Sequence, residues 1–152
     1  MCLAELLEEL KANITPSVDL GCVIQNLSYL SIDKENIVRQ TALHWLLDVI
    51  TIDSDKIGTV LPLLLHAVLI CISDVDHNIV DLAERLNEKL LAFVTSSFEA
   101  NAMEVEFPKI ISILMCDLNH ASLSRRKAVL NWTTALKAFN PEYLANSINL
   151  IL

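Results

Sequence analysis

Glycine is nearly missing from this chain, with two residues in 152, and proline occurs four times. An all-β fold built on many tight turns needs more of both, because reversing turns require residues that tolerate positive φ or preset it. Cysteine is sparse and scattered: Cys2, Cys22, Cys71 and Cys116 form no Cys-x-x-Cys, and no histidines stand at ligand spacing beside them. A zinc site or a disulfide framework is therefore not read here. Reduced, buried thiols suited to a cytosolic compartment are the expectation. Long hydrophobic runs are also lacking. The longest, Ile57 to Ile72, contains Pro62 and His66 and is flanked by Asp55, Lys56 and Asp74. A bilayer span takes about 20 apolar residues, so this run reads as a buried helix. Glu5, Glu8 and Glu9 interrupt the first apolar stretch, and no signal peptide is read there. Positive charge is short as well. At a net charge of −8 the chain as a whole is unsuited to gripping nucleic acid through phosphates. No Gly-rich phosphate loop, Ser/His/Asp set, His-Glu-x-x-His or kinase signature occurs, so neither an enzyme activity nor a cofactor is assigned. His44, His66, His77 and His120 read as structural or solvated residues.

What the chain has is aliphatic helix-forming sequence, with 53% hydrophobic residues. Asn36 to Ile50 shows the pattern: Val38, Ala42, Trp45, Leu46 and Val49 share one face on a 3.6-residue period. The stretch recurs. Arg39-Gln-Thr-Ala-Leu-His-Trp45 returns as Arg126-Lys-Ala-Val-Leu-Asn-Trp132, at an offset of 87 residues. A weaker copy lies between them, with Ile79, Leu82, Ala83, Leu86, Leu90, Phe93 and Val94 on one stripe. Ala83 follows Ala42 by 41 residues, which leaves 46 to the third copy. Such periods belong to HEAT or armadillo helix pairs. The predicted fold is all-α, a right-handed α-solenoid of about three and a half pairs over residues 1–152. It divides into a half repeat at 2–13, pairs at 16–51, 53–96 and 104–139, and a half repeat at 141–152.

Capping residues mark the expected boundaries. Thr15-Pro16 opens a helix to about Leu30, Asp33 precedes the next with Glu35 in its first turn, and Asp53 precedes a third reaching about Ser73. Asp74 and Asp76 precede a helix to about Thr95, and residues 96–105 read as the longest loop. Asn140-Pro141-Glu142 opens the last helix. Pro62 and Pro108 recur 46 residues apart ahead of similar apolar runs. The chain begins and ends without the polar caps that solenoids need, as an internal slice of a longer array does, or a protein that docks at its ends.

The charge is uneven. Residues 1–117 hold 18 acids and 7 bases, whereas 118–141 hold no acid and four bases, Arg125, Arg126, Lys127 and Lys137. These four are the candidate interaction surface, open to an acidic partner or an anionic membrane, or else a plain solvated face. Arg39 and Arg126 read either as rungs bonding an aspartate of the neighbouring turn, Asp33 or Asp74, or as partner contacts. Trp45 and Trp132 lie on the apolar stripes and are expected in the core.

Ile37-Val-Arg-Gln-Thr-Ala-Leu-His-Trp45 and the following Val60-Leu-Pro block resemble the ArPIKfyve family, the HEAT-repeat vacuole-morphology scaffold of the PIKfyve lipid kinase complex. Asn78 to Val94 and Arg126 to Trp132 are similar to the same family in the same order. The resemblance covers about Leu3 to Leu152 and fits a middle portion of the family's length. It implies a non-catalytic scaffold that holds a PIKfyve-type lipid kinase, which makes phosphatidylinositol 3,5-bisphosphate, together with the opposing Sac-type phosphatase. It also implies self-association and a cytoplasmic location, peripheral on endosomal or vacuolar membranes. The rival reading is a HEAT or armadillo adaptor of a trafficking or transport complex.

Overall fold

The structure, a computed structural model, describes residues 19–52, 57–99 and 105–139, together with isolated positions at 5, 9, 12, 141–142 and 145–146. Among the described residues it is all-helical: α1 (Leu20–Leu30), α2 (Asn36–Val49), α3 (Ile57–Cys71), α4 (His77–Glu99), α5 (Phe107–Asp117) and α6 (Leu123–Phe139). Consecutive helices pair as α1 with α2, α3 with α4 and α5 with α6. The pairs stack in two files. In one, α1 packs on α3 and α3 on α5; in the other, α2 packs on α4 and α4 on α6.

The expected helix starts are partly displaced. Thr15-Pro16 and Asp53 lie outside the described residues, as do most of the half repeats at 2–13 and 141–152. The described part of the first helix starts instead under Asp19, whose carboxylate accepts the Cys22 amide at 3.2 Å. Asp33 does not cap α2. Its Oδ1 accepts the Glu35 amide at 2.8 Å, and Glu35 holds the cap position rather than a place in the first turn. Asp76 does cap α4, accepting the Asn78 amide at 2.8 Å. Its carboxyl also receives the Asn36 side chain, and these bonds, the Asn36 one first, hold it below the usual carboxylate range. α4 reaches Glu99, past the expected end near Thr95. Pro108 opens α5, but Pro62 sits inside α3, where its missing N–H deprives the Gly58 carbonyl of its helical donor.

The turns inside the pairs repeat one design. Asp33 accepts the amide two residues on, Asp74 accepts that of Asp76 at 2.9 Å, and His120 Nδ1 accepts that of Ser122 at 3.1 Å. These three positions are spaced by the same 41 and 46 residues that the apolar stripes show.

The core is a continuous aliphatic seam between the files. α3 is its centre, with Leu61, Leu64, Leu65 and Leu69 without solvent contact. It is apolar nearly all round because α1, α4, α5 and α6 all touch it. Ile24 of α1, Leu43 and Leu46 of α2, and Ile79, Leu86 and Leu90 of α4 are also fully buried around it. The two tryptophans part company. Trp132 is fully buried and its indole N–H donates to Asn87 Oδ1 of α4 at 2.8 Å. Trp45 is only half-buried, at the outer end of the described stack.

Candidate interaction surface

The four basic residues expected on one surface occupy different settings. Arg125 is buried, 9% exposed, and is clamped by the last residue of α5. Its Nε donates to Asp117 Oδ2 at 2.9 Å and its Nη2 to Oδ1 at 2.7 Å. This two-point fork is the geometry in which guanidinium and carboxylate pair most strongly. Arg125 therefore leaves the surface set. Residues 118–141 contain no acid, but Asp117 stands just before them and folds back on the first turn of α6.

Arg126 is half-buried and donates through Nη1 to the His120 carbonyl at 2.9 Å. Arg39 does the same in its own pair, donating to the Asp33 carbonyl at 3.0 Å. It then crosses to the next pair, where Nε lies 2.9 Å and Nη2 3.3 Å from the two carboxylate oxygens of Asp74. Nε has no well-aligned hydrogen bond, so charge attraction is what satisfies it there. The rung expected between neighbouring turns is present at Arg39 and Asp74. The middle pair carries Val80 at this position and offers no rung of its own.

Lys127 and Lys137 are exposed, Lys137 in the last turn of α6, where a cation meets the negative end of the helix dipole. Lys127 lines a groove of about 200 Å³ between α4 and α6 with Glu84, Glu88, Asn87, Ser124 and Asn131. Two carboxylates in the same groove outweigh its single lysine, so that groove is not basic. A second groove, about 440 Å³, is almost wholly apolar and lies on α1 and α2, lined by Leu27, Leu30, Ile37, Val38, Ala42 and Trp45 among others. Sequence reading missed it, because each of its residues looks like core on a helical wheel.

Among the described residues no three His, Cys, Asp or Glu stand close enough to hold a metal ion. No helix among them is long and apolar enough to cross a membrane. Cys71 is buried, its thiol donating to the Ser31 carbonyl at 3.1 Å, and burial pushes its pKa up to about 11. Cys22 and Cys116 are free and exposed on the outer sides of α1 and α5, so the expected burial holds for Cys71 but not for them. Alkylation near neutral pH is expected to modify Cys22 and Cys116 within minutes and Cys71 only as the chain unfolds, read by mass spectrometry of peptides. Because the folded pKa of Cys71 lies above its ordinary 9.0, the thiol favours the fold below that pH, and this contribution fades as pH climbs through about 11.

No family model matches the chain, and no solved structure matches it. Over 137 residues it is 28% identical to the protein described as Protein VAC14 homolog of Arabidopsis thaliana. That match covers 88% of this chain and 17% of the plant protein, so the chain spans only a small part of its relative's length. The resemblance carried by the order of the Arg39–Trp45, Asn78–Val94 and Arg126–Trp132 blocks stands: the chain is a partial match to a VAC14/ArPIKfyve-like family.

Proposed function

We propose that the chain is a slice of a right-handed α-solenoid of HEAT/armadillo-like pairs, and that it acts as a non-catalytic scaffold element. In this reading it serves a vacuolar or endosomal phosphoinositide complex, in which a PIKfyve-type lipid kinase and a Sac-type phosphatase are held together. The observation that carries the reading is the similarity to the VAC14 homolog over most of this chain. The stacked files support it. Each pair buries its apolar seam only against its neighbours, so stacking gives a stiff rod that presents exposed helix faces at fixed intervals. Stiffness of that kind is what two opposing enzymes need if their distance is to be set by a third protein. The described parts of the pairs span residues 20–49, 57–99 and 107–139.

The test is co-purification from cells with the chain in its full-length context. The expected result is recovery of the kinase and the phosphatase, and their loss when residues 33–139 are deleted. Full complex assembly after that deletion overturns the proposal. Recovery of transport carriers or coat proteins in place of the two enzymes overturns it in favour of a trafficking adaptor.

A further inference from the structure

The groove between α4 and α6 is polar on both walls. α4 supplies Glu84, Asn87 and Glu88, and α6 supplies Ser124, Lys127 and Asn131. We propose that it binds an extended segment of a partner protein, which lays an arginine on Glu84 and Glu88 and a neighbouring backbone carbonyl on Asn87.

Glu84 and Glu88 select the charge of the occupant. Both are exposed, and at a spacing of four they share one face of α4. Like charges so placed repel and weaken a helix slightly. Neither carboxylate has an ion pair or hydrogen bond among the described residues, although Lys127 lines the same groove. A cation between them relieves the repulsion. Side chains at this spacing have Cβ atoms about 5–6 Å apart. A planar guanidinium, with donors along its edges, can meet two carboxylates at once, whereas an ammonium is a single point. Lys127 on the facing wall repels a second base, so the arginine is held to the α4 side.

Asn87 adds a donor held by the core. It is only 7% exposed, yet it lines the groove. Trp132 donates its indole N–H to Asn87 Oδ1 at 2.8 Å. An indole nitrogen only donates, so this bond decides which end of the amide faces the ring. The amide nitrogen is left with two N–H groups and no partner among the described residues. A peptide carbonyl is the acceptor that completes it. Size agrees: about 200 Å³ lies below the roughly 300–1,000 Å³ of sites for drug-sized ligands, and suits one side chain with its backbone.

The inference rests on the contact of α4 with α6 and not on the kinase and phosphatase, so its failure leaves the scaffold reading standing. The test titrates the nitrogen-15-labelled 152-residue chain with N-acetyl-arginine-N′-methylamide and follows the side-chain amide resonances of Asn87 and Asn131. Both are expected to shift and saturate. Glu84→Gln with Glu88→Gln is expected to weaken the probe about tenfold, the order of a lost charge-assisted hydrogen bond. Glu35→Gln with Glu106→Gln removes the same charge at two helix starts where neither side chain makes a cap bond, and is expected to leave binding unchanged. Absence of a saturable shift overturns the proposal, as does undiminished binding to the Glu84/Glu88 variant. Equal shifts from the uncharged citrulline analogue overturn it too, since the backbone alone would then be recognised. Equal weakening by both pairs of substitutions overturns it in favour of the diffuse field of an acidic chain. Equal affinity for the lysine analogue overturns the choice of arginine.

Discussion

Asp117→Ala is expected to destabilise the chain by about 3–5 kcal/mol, because it leaves the Arg125 guanidinium buried without its counter-charge. Both side chains are nearly closed to solvent, at 11% and 10% exposure, and the bond is two-pointed. The measurement is a urea titration, in which the midpoint falls while the slope is unchanged. The paired change Asp117→Leu with Arg125→Met should return the midpoint close to that of the parent, since apolar residues of similar volume often replace a buried pair at no net cost. A loss below about 1 kcal/mol for the single change is the behaviour of a solvated pair and would show that Arg125 reaches water after all.

Trp132→Ala is the second large effect. Removing a fully buried aromatic side chain costs about 3–5 kcal/mol through lost transfer energy and the cavity left behind. The same change orphans the buried Asn87 side chain, which adds about 1–3 kcal/mol. Trp132→Phe separates the two, because it keeps most of the apolar surface and loses the hydrogen bond. Its expected cost is the Asn87 share plus a smaller contribution from the lost ring volume, and so falls below that of Trp132→Ala. Trp45→Ala, at the matching position but half-buried, is expected to cost less than half as much as Trp132→Ala. Equal losses at the two tryptophans would mean that their environments are alike, against the burial seen here. Thermal or urea unfolding of the three variants, followed by far-ultraviolet circular dichroism, makes the comparison.

These two predictions also show where sequence reading reaches and where it stops. The Arg…Leu…Trp frame at 39–45 and 126–132 identified matching helices, and both lie in the second helix of a pair, in α2 and α6. The 41- and 46-residue offsets reappear in the turn bonds of Asp33, Asp74 and His120. Local signals of this sort are legible because a helix and its turn are decided over a few residues, by side-chain period and by short polar groups that reach nearby amides. Caps were read less well. Asp76 met its expected role, but Asp33 bonded the loop amide of Glu35, since a carboxylate two residues ahead of an amide has two near-equal choices and the loop path selects between them.

The basic surface was misjudged for a different reason. Counting charges along residues 118–141 omits Asp117 by one position, and it omits Glu84 and Glu88, which come from the preceding pair. A charge's partners are set by distance in space, and a helix stack brings together residues some 40 positions apart, as the Lys89–Leu47, Cys71–Ser31 and Trp132–Asn87 bonds do.

The sequence by itself determined that this protein is helical, where its helices recur, and which family its blocks resemble, because backbone propensity and apolar periodicity act within a turn or two of chain. Only the tertiary structure decided that Arg125 is a buried strut rather than a surface cation, that one tryptophan is sealed and its twin half-open, and that an apolar groove faces outward from the first pair. Each of those depends on whether another helix lies alongside, and the presence of a neighbour fixes solvent access and dielectric, which no single stretch of sequence encodes.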